Sequence, residues 1–181
     1  MTKLNLGSGR RTMTGFYNVD IQDWDGNTNI KMDLSKYPLD FEDNSIEEII
    51  SEEFLEHLPF SCAQGFIKEC YRILMPGGRI TLQVPDAGKA MEYYIKGEIC
   101  DCVPHKAVTF EANPNCLKCQ GKAKINPIRW LYTFTGAQKH QWDAHLNIFT
   151  RDIMEKHFRK AGFSNFGFIF NQYKLIIKAV K

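Results

Sequence analysis

Short apolar runs that end at turn-forming residues make up most of this chain, with helical spacing in only two places. Lys3–Leu6 alternates polar and apolar residues and stops at Gly7. Phe16–Ile21 predicts a second strand with Asp20 near its end, and Asn29–Met32 a weaker third, followed by Asp33 and the turn-rich YPLDFEDNS. Ile46–Ser51 (IEEIIS) predicts a fourth strand. In Ser61–Leu74, Phe66, Ile67, Cys70, Ile73 and Leu74 recur at the spacing of one helix face, and Pro76-Gly77-Gly78 supplies a stop. Arg79–Val84 predicts a fifth strand closed by Pro85. Arg151–Ala161 is amphipathic, with Thr150 as its cap and Gly162 as its end. Asn165–Phe170 and Tyr173–Val180 then form a predicted hairpin across Asn171-Gln172, which is antiparallel. Strands alternating with helices imply a largely parallel sheet covered on both faces.

Gly97–Pro127 breaks this rhythm. It has little periodicity and holds four cysteines, so the chain reads as a single domain, 1–181, with an insertion at about 97–127. The 181 residues suffice for one hydrophobic core. A net charge of +2 is too small to argue for nucleic acid or a membrane surface. No apolar run is long enough to span a bilayer. The N-terminus leads straight into a strand, so no signal peptide is expected and the expected location is cytoplasmic. In that setting cysteines are free thiols or metal ligands rather than disulfides.

The stretch around Gly7 and Gly9 carries the first chemistry. Two glycines let the backbone turn sharply and bring it close to a ligand. Asp20, at the end of the neighbouring strand, can accept hydrogen bonds from ribose hydroxyls. Dinucleotide sites prefer G-x-G-x-x-G with an acid roughly 20 residues on. Here the third glycine position is Thr12 and Asp20 follows Gly9 by eleven positions, which leaves little room for a phosphate-binding helix. A ligand with ribose and adenine but no phosphate fits this spacing.

LNLGSG (Leu4–Gly9), NVD (Asn18–Asp20), LEHL (Leu55–Leu58) and ECYRILMPGGRITLQVPD (Glu69–Asp86) follow in that order, with GAQKHQWDAHLNIFT (Gly136–Thr150) and FRKAGF (Phe158–Phe163) behind them. In this combination the chain resembles a class I S-adenosylmethionine-dependent methyltransferase, in the small group with an LNLGCG-type opening. Ser8 stands where many relatives have cysteine. The resemblance implies an α/β, doubly wound Rossmann-like sheet, mostly parallel with an antiparallel C-terminal strand. It implies S-adenosylmethionine as the cofactor, with Leu6, Gly7, Ser8 and Gly9 under the methionine part and Asp20 on the ribose. Asp33 would approach the adenine amino group, Asp43 being a rival acid, and Leu34 would supply an amide and an apolar face. Ser51 and Glu52 would line the donor side.

Methyl transfer from a sulfonium needs alignment above all, and a base only where the acceptor must lose a proton. His57, His145 and Asp86 are the catalytic candidates, with His140 as a further histidine. The loop around Trp142 is a candidate acceptor wall, and Tyr93 and Tyr94 are candidate pocket aromatics. A helix-end or loop-pinning role competes with each histidine. Cys100, Cys102, Cys116 and Cys119 form two close pairs of the kind that bind structural zinc, with His105 as a substitute ligand; free thiols are the alternative. Cys62 and Cys70 read as small apolar core residues. The expected function is methyl transfer to an unidentified small-molecule or sugar acceptor. An inactive cofactor-binding module is the alternative, as is a nucleic-acid or protein methyltransferase using the Cys/Lys segment around Lys118, Lys122, Lys124 and Arg129. Nucleic acid is not an expected partner at this net charge. Oligomeric state is left open.

Overall fold

The computed structural model describes residues 2–103, 112–139, 143–171 and 173–181. His105, His140, Trp142 and Gln172 lie outside the described residues. Among those described, seven strands form one sheet: β1 (Thr2–Leu6), β2 (Tyr17–Asp20), β3 (Ile30–Lys31), β4 (Ile46–Glu52), β5 (Leu74–Pro85), β6 (Asn165–Asn171) and β7 (Lys174–Val180). Their order is β3-β2-β1-β4-β5-β7-β6. The first five pair in parallel, and β7 runs antiparallel between β5 and β6. This is the expected mostly parallel Rossmann-like sheet with its antiparallel ending.

Four helices accompany the sheet: α1 (Phe60–Ile73), α2 (Ala87–Ile95), α3 (Pro127–Thr135) and α4 (Arg151–Ala161). Phe66, Ile67, Cys70 and Ile73 of α1 share one core with Met154 and Phe158 of α4 and with Leu4, Leu6, Ile49, Leu82 and Ile177 from the strands. Thr150 caps α4 by accepting from the Ile153 amide, and Gly162 ends it at φ 113°. A side chain there would meet the Tyr71 ring. Burial pushes the Cys70 thiol pKa up, consistent with its reading as core.

Three features depart from the sequence reading. No helix lies in the β1–β2, β2–β3 or β3–β4 connections, so the strand–helix alternation begins only after β4 and the early sheet lacks the expected helical cover. The linkers explain this, since GSGRRTMTGF is rich in turn residues and lacks a helical apolar stripe. The Pro76-Gly77-Gly78 step does not separate helix from strand. β5 starts at Leu74, directly after α1, and the step forms a bulge where the β4–β5 register shifts, with Gly77 at φ 79°. Ala87–Ile95 and Pro127–Thr135 are two further helices beyond the sequence reading, each only nine residues long and capped by Asp86 and Asn126 respectively.

Around the cysteines, Cys100, Val103, Cys119 and Ala123 form a small cluster separate from the main core. No helix among the described residues is long and apolar enough to cross a membrane.

One polar network fixes the β3–β4 connection to α1. Arg72 donates to Glu69 at 2.8 Å, Asp43 at 2.6 Å and the carbonyls of Leu39 and Phe41, both at 2.9 Å. Glu69 also accepts from the Leu39 amide at 2.8 Å. Burial alone would raise the Glu69 pKa, but these hydrogen bonds outweigh it and hold the carboxyl below its ordinary 4.5. Its stabilising contribution is therefore present above about pH 4.5 and is lost as the pH falls through the lower folded value. Arg72→Ala is expected to cost about 2–3 kcal/mol at neutral pH, from several charge-assisted bonds at a half-buried site. Urea unfolding of wild type and variant at about pH 7 and about pH 3 should show that deficit shrinking in acid.

Candidate active site

The carboxyl ends of β1, β2, β3 and β4 open onto a cavity of about 710 Å³, within the roughly 300–1,000 Å³ range of small-molecule sites. Gly7, Ser8, Gly9, Asp20, Asp33, Leu34 and Glu52 line one part of it. His57 and His145 line another, with Glu53, Glu56, Tyr132 and Lys174.

The glycine turn is built by the sheet and then locked. The amides of Gly7 and Ser8 donate to the Val19 carbonyl at 2.8 and 3.1 Å, and the Gly9 amide donates to Asp20 Oδ2 at 2.8 Å. Asp20 Oδ1 accepts from the Gln22 amide and from Trp24 Nε1, both at 3.2 Å. Below the turn, Asn5 Nδ2 donates to Asn18 Oδ1 at 2.9 Å and to the Arg11 carbonyl at 2.8 Å. Asn18 Oδ1 also accepts from the Met13 amide at 2.8 Å. The two asparagines hold the loop between β1 and β2. Gly7 and Gly9 sit at φ 69° and 52°, the left-handed region. A side chain on Gly7 would run into the Phe54 ring, whereas one on Gly9 would meet only open space.

Other expected cofactor residues divide by position. Asp33 lines the cavity, and its Oδ1 accepts from the Ser35 amide at 3.0 Å and hydroxyl at 2.6 Å. The Ser35 hydroxyl bond holds its carboxyl below the ordinary range, so it is an ionised acceptor. Asp43 is committed to Arg72 and is absent from the cavity wall. Leu6 and Ser51 are buried in the sheet and are not part of the lining.

Asp86 does not line this cavity. It is buried and caps α2, its Oδ1 accepting from the Lys89 amide at 2.9 Å. β5 runs through Pro85 and α2 begins at Ala87, so Asp86 caps a helix instead of facing the ligand edge. Tyr93 and Tyr94 are also absent from the wall; Tyr94 stacks on Trp130 at 5.3 Å between ring centroids.

The opposite wall is assembled from separated segments. A 3-10 turn, Leu55–His57, follows β4, and the Glu56 carbonyl accepts from the amides of Leu146 at 2.8 Å and Asn147 at 3.1 Å. His57 Nδ1 lies 3.0 Å from the Ala144 carbonyl, and His145 Nδ1 lies 3.1 Å from the Thr133 carbonyl. Desolvation lowers the pKa of both rings, which keeps them neutral. Glu53 sits at φ 52°, unusual for a residue with a side chain, and its Oε1 accepts from Gln83 Nε2 at 3.1 Å. Burial raises the pKa of Glu53 and, more strongly, of Glu56, where the Glu53 charge adds to the effect. Neither acid was singled out from the sequence beyond its place beside His57. The segment reads as an ordinary strand end there, and only the return of the 143–147 loop buries it.

Residues 17–82 match the family model of a methyltransferase domain. Over that segment the chain matches a methyltransferase domain, and its fold is that of S-adenosylmethionine-dependent methyltransferases. Its fold is similar to a Thermotoga maritima S-adenosylmethionine-dependent methyltransferase, described as a possible histamine N-methyltransferase. The two share 15% identity and a TM-score of 0.58, over 99% of this chain and 82% of that one. It is also similar to a Mesorhizobium loti S-adenosylmethionine-dependent methyltransferase, with 14% identity, a TM-score of 0.53, and coverage of 99% and 90%. A Burkholderia thailandensis 1,6-didemethyltoxoflavin N1-methyltransferase, solved with its substrate and S-adenosylhomocysteine, gives 13% identity, a TM-score of 0.55, and coverage of 99% and 70%. Identities this low establish the methyltransferase fold and leave the acceptor open. No curated protein matches the chain in sequence.

The chemistry of this wall suits a nucleoside ligand of the kind those neighbours use. The Ser8 hydroxyl is buried with no partner among the described residues, Gly9 leaves space for a ligand, and two acids line the same wall. Gly7→Ala and Gly9→Ala should separate packing from binding. Gly7→Ala adds a ring collision to backbone strain and is expected to cost about 3 kcal/mol or more. Gly9→Ala should cost about 1 kcal/mol, because only the strain remains. Both should weaken S-adenosylhomocysteine binding, as read by urea unfolding beside calorimetry.

Proposed function

We propose that this methyltransferase moves the methyl group of S-adenosylmethionine to a small-molecule acceptor, sugars included. The observation that supports this reading is the single cavity shared by the glycine turn with its two acids and by the Glu56–His57–His145 wall. Gly7, Ser8 and Gly9 would pass under the methionine part, Asp20 would accept the ribose hydroxyls, and Asp33 would meet the adenine amino group above Leu34. Bound there, the cofactor supplies an activated methyl group. The chain's own task is to align the acceptor behind the methyl carbon and keep water out. Asp20 has a second role, because it also fixes the Gly9 amide and Trp24.

Asp20→Ala is expected to weaken S-adenosylhomocysteine binding about 100-fold, roughly two charge-assisted hydrogen bonds. Titration calorimetry on folded variant reads this, and affinity within about threefold of wild type would count against the assignment. Cofactor uptake with no turnover over a broad acceptor panel would favour an inactive binding module.

The four thiols support structural zinc as a second ligand. Cys100 Sγ and Cys116 Sγ are 3.7 Å apart, and Cys102 Sγ and Cys119 Sγ are 3.4 Å apart. Tetrahedral thiolates at about 2.3 Å from zinc lie about 3.8 Å from one another. All four cysteines are free of disulfides. Backbone hydrogen bonds, from Ala123 first, lower the Cys119 thiol to about 6, so a thiolate is accessible at neutral pH. Such a site belongs to a reducing compartment, the cytoplasm in this reading. Elemental analysis should find about one zinc per chain, lost in the Cys116→Ser/Cys119→Ser double variant while cofactor affinity persists.

A further inference from the structure

Glu56 is the least comfortable side chain in the cavity wall. It is 1% exposed, and neither carboxylate oxygen has a hydrogen-bond partner among the described residues. A buried carboxylate without a donor is strongly unfavourable unless a positive charge meets it or it takes up a proton. Among the described residues no lysine or arginine pairs with it directly, Lys174 and Arg11 acting only from further off; the short-range neighbour is His145, with Nε2 at 4.0 Å from Glu56 Oε1. That ring cannot be the donor while neutral. Its Nδ1 faces the Thr133 carbonyl, which only accepts, so Nδ1 carries the proton and Nε2 the lone pair. The same argument applies to His57, whose Nδ1 faces the Ala144 carbonyl. An imidazole held by Nδ1–H to a backbone carbonyl is the usual support of a metal-binding histidine. One ligand-capable atom from each of Glu56, His57 and His145 lies within 4.8 Å of the other two. Glu53, in the same wall, brings a second carboxyl to the corner, paired with Lys174 at 3.9 Å.

We propose that Glu56, His57 and His145 bind a divalent cation in the cofactor cavity, and that this cation takes the hydroxyl oxygen of the methyl acceptor. Ligands on an ion with bonds of about 2.1 Å sit about 3 Å apart, so the three atoms close by roughly 1 Å on binding. Three protein ligands leave positions open for substrate, unlike the four-thiol cluster. Mixed imidazole and carboxylate donors suit Mn²⁺, Fe²⁺ or Zn²⁺. Both histidines then serve as ligands and neither is the proton acceptor. The acceptor hydroxyl, acidified by coordination, releases its proton to solvent water. A lone pair of that oxygen attacks the methyl carbon, the C–O bond forms, and the C–S bond breaks. Its electron pair stays on sulfur, giving a neutral thioether. This inference deepens the methyl-transfer reading and rests on it for the acceptor's role.

Mn²⁺ is the probe. Its free electron paramagnetic resonance signal, titrated with full-length protein, measures uptake; calorimetry with S-adenosylhomocysteine on the same samples measures the donor site separately. Wild type is expected to take up about one Mn²⁺, and Glu56→Gln and His145→Gln to bind it about 100-fold or more weakly, since even loss of an outer-shell partner costs up to that much. S-adenosylhomocysteine affinity without metal should stay within about threefold in both variants. Mn²⁺ should raise the thermal midpoint of wild type and not of Glu56→Gln. Absence of Mn²⁺ uptake by wild type at millimolar concentration, or equal uptake by wild type and both variants, overturns the site. Uptake that follows Glu56 and His145 supports it. Failure of S-adenosylhomocysteine to bind wild type instead overturns the methyl-donor reading, and the Mn²⁺ result decides the site independently.

Discussion

Parallel pairing of β2, β1 and β4 is the constraint on which the site depends. The register sets Leu6 beside Val19 and Asn5 beside Ile50. All these strands therefore deliver their carboxyl ends to one edge, where the chain must turn. The glycine turn leaves β1, Asp20 closes β2, Asp33 follows β3, and Glu53 and Glu56 follow β4. A slip of one residue would point Asp20 to the other face and break its bond to the Gly9 amide. Buried Asn5 and Asn18 guard against this, because their side chains pair only in this register.

The cavity combines two kinds of acid. Asp20 and Asp33 are satisfied by amides, a hydroxyl and an indole, and their carboxyl oxygens face the cavity, placed for hydroxyl or amino donors. Glu56 is the most deeply buried of the four, and burial pushes the pKa of Glu53 and Glu56 upward. Asp20 and Asp33 are pre-satisfied and Glu53 has Gln83 and Lys174, whereas Glu56 has no donor among the described residues. That difference separates a surface built for a neutral nucleoside from one that calls for a cation.

What the sequence disclosed follows from how local each feature is. The strands up to β5 and the final hairpin are legible because apolar alternation and turn residues are local signals. The cofactor half is legible for the same reason, since LNLGSG and NVD each occupy one turn. The opposite wall is not, because residues 53–58, 129–137, 143–146 and 173–174 meet only after folding. His57 and His145 could be noticed as histidines, but their shared neighbour Glu56 gains meaning only from its burial. Asp86 misled because a carboxylate after a strand reads the same whether it faces a ligand or caps a helix. The bulge at Gly77 misled because Pro-Gly-Gly is a stop signal in most contexts, and here the pairing of β5 with β4 and β7 carries the strand through it.

The helix-free connections between the first four strands have a kinetic consequence. Parallel pairing without a crossover helix gains nothing until distant segments meet, and such pairings form slowly. The half built from β4, α1, β5, α4 and β7 holds most of the interlocking aromatic and aliphatic side chains, so it supplies the nucleus. The outer strands β2 and β3, only four and two residues long, condense onto it last and open first. The donor's nucleoside would dock on that late, loosely held margin and act as its missing mortar.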